Sequence, residues 1–197
     1  SADGEQGYGS GAGSGSGGTV NLTVGSLTGA GSISADGYAH QNGGGGGRIA
    51  VYYGTLALDQ SHLQVLGGQG SQSSGGSGTL FLKAASQQNG TLVIDGQTAP
   101  GFTPLRMPEG FSPDEIYIRN NSRVMVDRPL DVQRIKLEGN SQLLADEPMI
   151  VRDRMELVSG CVLTHSLGLE AGLRINAQTF VIDATSSIDV SGKGYLG

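Results

Sequence analysis

The chain has no tryptophan, one cysteine and six prolines among its 197 residues. The lone Cys161 excludes an internal disulfide framework and provides no thiolate cluster for a metal, so stability must come from packing. Charge is scarce too: 15% of residues carry it, with a net charge of −6. Arg119, Arg123, Arg128, Arg134, Arg152 and Arg154 are interleaved with Asp114, Glu115, Asp127, Asp131, Glu138, Asp146, Glu147 and Asp153. Such mixing makes a solvated face, not the basic groove that nucleic acid requires. No run approaches the ~18 apolar residues of a membrane span, and Ser1-Ala-Asp-Gly-Glu-Gln does not read as a signal peptide. Membrane insertion is not expected. Helix signals are weak as well, since the best stretch, 167–173, contains Gly168 and Gly172, each costing about 1 kcal/mol relative to Ala.

What the chain has is glycine and repetition. Of its 35 glycines, 24 lie in the first 78 residues. Ser1-Ala-Asp-Gly4 recurs as Ser34-Ala-Asp-Gly37, and glycine-rich tracts precede alternating apolar runs at Val20–Val24, Ile49–Tyr53 and Leu80–Leu82. A spacer plus a strand thus forms one unit used three times. Tracts at matching points of each unit fit ordered loops in which backbones approach too closely for a Cβ better than they fit flexible linkers.

From residue 115 the pattern is sharper. Ile116-Tyr-Ile118, Ile135-Lys-Leu137, Met155-Glu-Leu157 and Phe180-Val-Ile182 are each followed, six residues after the first position, by a small residue: Ser122, Ser141, Cys161 and Ser186. Two positions further comes Val124, Leu143, Leu163 or Ile188. Alternation over three to five residues marks a short strand with one buried face. The intervening turns, Arg119-Asn-Asn121, Glu138-Gly-Asn140, Val158-Ser-Gly160 and Asp183-Ala-Thr185, carry in three cases Gly or Asn residues that tolerate positive φ. Successive units begin 19, 20 and 25 residues apart, a repeat suited to stacked coils.

The predicted fold is all-β: a right-handed parallel β-helix, or β-solenoid, with Gly-rich flanking loops. Residues 1–99 form its Gly-rich coils, 100–114 a Pro-rich excursion, and 115–197 regular coils continuous with the first part. Eight or so coils at about 4.8 Å each give a rod on the order of 40 Å long. The prolines concentrated from Pro100 to Pro113 mark either a junction or a functional protrusion. Because its first residues already lie inside a repeat, the chain reads as a piece of something longer.

Few residues carry a chemical signal. His40, His62 and His165 share no ligand spacing, and Cys161 takes a slot held by serine in the neighbouring units, so it reads as a small inward residue rather than a nucleophile. Asp95, Asp183 and Asp189 sit on or beside strands, whereas the aligned outward positions hold Tyr117, Lys136, Glu156 and Val181. No stacked carboxylate pair of a glycosidase results. The calcium-binding nonapeptide is absent, so Asp3 and Asp36 are expected to cap turns, with binding of an occasional ion as the alternative. Tyr8, Tyr38 and Tyr195, each inside a glycine-rich tract, are expected to anchor those loops; stacking on carbohydrate is the sharper alternative. Catalytic, cofactor and metal sites are all expected to be none.

Gly43-Gly-Gly-Gly-Gly-Arg-Ile-Ala-Val-Tyr-Tyr53 and Ser187-Ile-Asp-Val-Ser-Gly-Lys-Gly-Tyr-Leu-Gly197 resemble the glycine-rich β-helical repeats of very large bacterial surface or secreted proteins. The resemblance covers nearly the whole chain, the Pro100–Pro113 stretch least. It implies a non-enzymatic stalk, fibre or adhesive shaft, located at the cell surface or outside the cell. The expected partners are neighbouring copies stacked end to end, and surface carbohydrate. The alternative is a carbohydrate-active module, either a lyase-like enzyme or a sugar-binding platform.

Overall fold

The computed structural model describes residues 1–7, 13–97, 101–108 and 110–194. Among them there is no α-helix, and one 3-10 turn covers Gln60–His62. In chain order the strands are β1 (Thr19–Leu27), β2 (Ile33–Ser34), β3 (Arg48–Leu56), β4 (Leu63–Gln64), β5 (Thr79–Ala84), β6 (Thr91–Asp95), β7 (Phe102–Pro104) and β8 (Glu115–Arg119). There follow β9 (Arg123–Val126), β10 (Leu130–Leu137), β11 (Gln142–Ala145), β12 (Met149–Leu157), β13 (Val162–Thr164), β14 (Ile175–Ile182) and β15 (Ser187–Ile188). The main sheet has eight strands in the order β1-β3-β5-β6-β8-β10-β12-β14. Intervening strands pair separately, as β2-β4 and as β15-β13-β11-β9-β7.

Neighbours in these sheets are parallel with one exception. β5 and β6 pair antiparallel, Leu80 opposite Val93 and Leu82 opposite Thr91. The periodicity predicts coils running continuously through this point; the sheet does continue, but strand direction reverses. Connection length accounts for it. Parallel neighbours need a dozen or more linking residues, and only residues 85–90 separate β5 from β6. Gly90 turns at φ 78°, and the Asp114 carboxylate accepts from the Asn89 and Gly90 amides at 3.1 and 3.0 Å, clamping the tip.

The reversal splits the core. Leu80, Leu82 and Val93 belong to one cluster with Ile49 and Val51, and Tyr117 packs against it. Leu92 and Ile94 belong to the other, with Ile116, Ile135 and Leu157, and Phe81 packs against it. Successive residues of a strand point to opposite faces, so the two cores lie on opposite faces of one sheet. If the connections keep one hand while strand direction reverses and the sheet keeps growing the same way, their return path must change face.

In the second block the register superposes the repeated positions. Ile116, Ile135, Met155 and Phe180 are aligned, as are Val124, Leu143, Leu163 and Ile188. Ser122, Ser141 and Cys161 are fully buried. Each donates to the carbonyl three residues back, Arg119 at 2.6 Å, Glu138 at 2.7 Å and Val158 at 3.1 Å, closing the bend from within. The bends use paired left-handed residues: Asn120 with Asn121, Gly139 with Asn140, and Ser159 with Gly160.

Part of the Pro-rich stretch 100–114 is regular strand. Phe102, Thr103 and Pro104 pair with Arg123, Val124 and Met125, and Leu105 donates to Met125. β7 is an edge strand, where a proline without an amide donor is tolerated. The irregular loop starts only after Leu105; Pro100 lies outside the described residues.

The glycine tracts form a second kind of core. Extended threads 2–5 with 14–18, 34–38 with 43–47, and 64–68 with 75–78 make three layers in step with β1, β3 and β5. The Gly46 amide donates to Gly76 in the next layer, Gly47 to Ala35 in its own, and Arg48 to Gly18 in the one before, at 2.9, 2.7 and 2.9 Å. Three directions in three residues is the periodicity of a polyproline-II-like thread, not of a strand. A Cβ on Gly44 would lie 2.0 Å from the Gly15 oxygen, and one on Gly75 2.0 Å from that of Gly44. Glycine is required there by the approach of backbones, as the tract positions imply.

Candidate functional site

The outward row anticipated from the alignment exists: Tyr117, Lys136, Glu156 and Val181 lie side by side across β8, β10, β12 and β14. The Tyr117 hydroxyl donates to Glu138 at 2.8 Å, and the Lys136 ammonium lies 2.5 Å from the same carboxylate and 5.0 Å from the Tyr117 ring centre. The Arg119 guanidinium also lies over that ring, 5.4 Å from its centre, and pairs with Asp95 at 2.7 Å. Arg154 pairs with Glu156. Lys136 and then Tyr117 hold the Glu138 carboxyl below its ordinary range, while burial first and Glu138 second push the Tyr117 hydroxyl up. Glu138 thus stays ionised near neutrality and is poorly suited to donate a proton.

The other aspartates do not join this row. β6 and β14 stand four strand spacings apart, so Asp95 and Asp183 are separated by roughly 19 Å, far beyond the ~5–10 Å of a glycosidase pair. Asp183 instead accepts from the Thr185 and Ser186 amides at 3.0 and 2.8 Å and, across to the neighbouring unit, from Ser159 at 2.7 Å. Asp189 accepts from the Ser191 amide. Asp3 accepts from the Asp36 amide at 2.9 Å, and Asp36 from Leu66 at 2.6 Å, so these two residues tie the layers together. The backbone bond lowers the Asp3 carboxyl, whereas burial raises that of Asp36.

The histidines stay apart. His62 shares Nδ1 with the Gly31 carbonyl at 3.0 Å, and His165, nearly buried, donates from Nδ1 to Ser166 at 2.7 Å. The His40 carbonyl accepts from Ser71 in the next glycine layer. Among the described residues no three His, Cys, Asp or Glu side chains converge as a metal site would need. Burial pushes the Cys161 thiol up, away from the thiolate a nucleophile requires. Tyr38 bonds through its backbone, donating to Gly15 and accepting from Gly44 at 3.0 Å each. Tyr8 and Tyr195 lie outside the described residues.

Two features escaped the linear reading. A groove of about 850 Å³ opens between the loop after Leu105 and the start of β10, lined by Met107, Phe111, Arg128, Gln133 and Arg152 among others. Gln133 sits at the break in register between β10 and β12; its signal was the extra residue between Leu130-x-Val132 and Ile135-x-Leu137. On the opposite face from Tyr117, the rings of Tyr52, Phe81 and Phe111 form an edge-to-face row with centres 5.7 and 5.6 Å apart. Tyr52 and Phe111 are each 38% exposed. Their proximity depends on the hairpin reversal, which brings the loop against the first block.

No family model, curated protein or solved structure matches the chain. The functional reading therefore rests on these residues.

Proposed function

We propose that this chain is a structural segment, a right-handed parallel β-helix serving as a shaft in an extracellular or cell-surface protein. The observation that carries the reading is the continuous eight-stranded sheet with cores on alternate faces, extended on one flank by a glycine lattice. The right hand follows from the strong preference of parallel crossovers, and the two blocks share whichever hand one of them has. Axial pulling would load the ladder bonds of a whole coil together, with the buried side chains beneath them. The outward ion pairs keep the flanks solvated and, apart from Arg119–Asp95, are too exposed to contribute much stability.

The Tyr52, Phe81 and Phe111 row favours a second reading, an adhesive platform for carbohydrate, because sugar rings bind on exposed aromatic surface beside polar groups such as Lys83. One experiment separates the two readings from a polysaccharide lyase or hydrolase. Small-angle scattering of the purified chain should give an elongated particle, and incubation with acidic and neutral polysaccharides should leave their chain length unchanged. Depolymerisation would overturn the structural reading. Binding without cleavage, lost in Tyr52→Ala and Phe111→Ala, would establish the platform.

A further inference from the structure

The two edges of the main sheet, β1 and β14, are unpaired along their outer sides. Apolar residues that are buried inside the stack come to the surface at the β14 edge: Ile182 is 42% exposed, Ile188 45% and Val190 44%. At the β1 edge Val20, Leu22 and Leu27 are only partly buried. An uncovered edge of this kind is a template for another strand.

The two edge segments match without a gap. Residues 20–37 read VNLTVGSLTGAGSISADG, and residues 175–192 read INAQTFVIDATSSIDVSG. Val20 falls on Ile175, Leu22 on Ala177, Leu27 on Ile182, Ile33 on Ile188 and Ala35 on Val190, so five apolar positions coincide, and the match breaks where Val24 falls on Thr179 and Gly25 on Phe180. Ala35, fully buried beneath a further layer in the first block, shows what Val190 would become once covered. The bulkiest mismatch, Phe180, falls on Gly25, which has no side chain to oppose it and whose own Cβ position is open, with no atom within 4 Å. Outward, Asn176 falls on Asn21, the pairing of an asparagine ladder.

Strand direction agrees. When the β1 edge of a second copy lies parallel on β14, a shared hand puts that copy's first core on the same face as this copy's second core. The two cores then run on as one.

We propose that the β14–β15 edge binds the β1–β2 edge of a second copy of this chain, strand parallel to strand, with residue 20 of one copy beside residue 175 of the other. The proposal rests on the winding proposed above. Each copy then contributes one reversal at its β5–β6 hairpin, and direction stays constant from that hairpin to the next.

Complementary edge variants test it. The chain should sediment as a concentration-dependent series, and Leu22→Lys and Ile188→Lys should each remain monomeric while keeping the circular dichroism of the parent. A 1:1 mixture of the two variants retains one intact edge of each kind and should give dimers and nothing larger. A parent chain that stays monomeric at the highest concentration reached overturns the proposal, as do single variants that assemble like the parent or a mixture that forms no dimer. Failure of the winding itself would appear separately, as a compact rather than elongated monomer in scattering.

Discussion

At the scale of single residues, the chain uses two opposite solutions to close packing. In the glycine layers the backbone itself is the filling, so even a methyl group is too large. Gly44→Ala places a Cβ 2.0 Å from the Gly15 oxygen, whereas Gly31→Ala meets nothing within 4 Å. Gly44→Ala should cost about 3 kcal/mol, at the upper end of ordinary overpacking. Gly31→Ala should change stability by less than about 1 kcal/mol. Urea unfolding of the two variants decides this, and equal midpoints would show that the lattice is not tightly packed. In the second block the small inward slot is defined by a donor rather than by size alone. Ser141→Ala leaves the Glu138 carbonyl without its 2.7 Å partner and should cost about 1 kcal/mol, while Ser141→Cys should recover part of it, as Cys161 does next door. That slot was legible in the sequence because it recurs, although its hydrogen bond was not.

Bends and hairpins belong to the next scale. Three bends are made by left-handed Asn, Gly and Ser, but the fourth, after β14, is held by the Asp183 carboxylate. Backbone donors, chiefly the Ser159 amide, hold Asp183 far below its ordinary value of 3.8. Folded Asp183 therefore releases its proton more readily than the unfolded residue. The stability it confers is complete above the unfolded pKa near 3.8 and is lost as pH falls through the folded one. Asp36, raised by burial, acts in the opposite sense. Asp183→Asn should thus flatten the acid limb of stability, and thermal unfolding between pH 7 and pH 3 should show the variant losing less than the parent. A steeper loss in the variant would exclude this role. The β5–β6 reversal also arises at this scale. Its short connection, residues 85–90, was visible in the sequence, but the partial match of Leu80-Phe-Leu82 to the repeat pointed to continuation. Loop length decided strand direction, and repeat similarity did not.

For the whole molecule, stability should be graded along the sheet. β8, β10 and β12 lie between strands on both sides, over residues that are almost completely buried, whereas β1 and β14 form the edges. Native-state hydrogen exchange should therefore be slowest at Ile116, Ile135 and Met155 and faster at Val20 and Ile175. Uniform protection from β1 to β14 would mean that the edges are covered in solution, and should then coincide with the assembled species in sedimentation.

By itself the sequence determined the repeated strands of the second block and their alignment, the outward row from Tyr117 to Val181 and the need for glycine in the tracts. These depend on local alternation and repeated spacing, and each residue's neighbour in the stack is another copy of itself. Only the tertiary structure decided that the two cores take opposite faces, that Phe102–Pro104 joins a sheet, and that Tyr52, Phe81 and Phe111 meet. The first and last of these follow from one reversal at residues 85–90, and all three join segments that share no repeat and so leave no periodic mark in the chain.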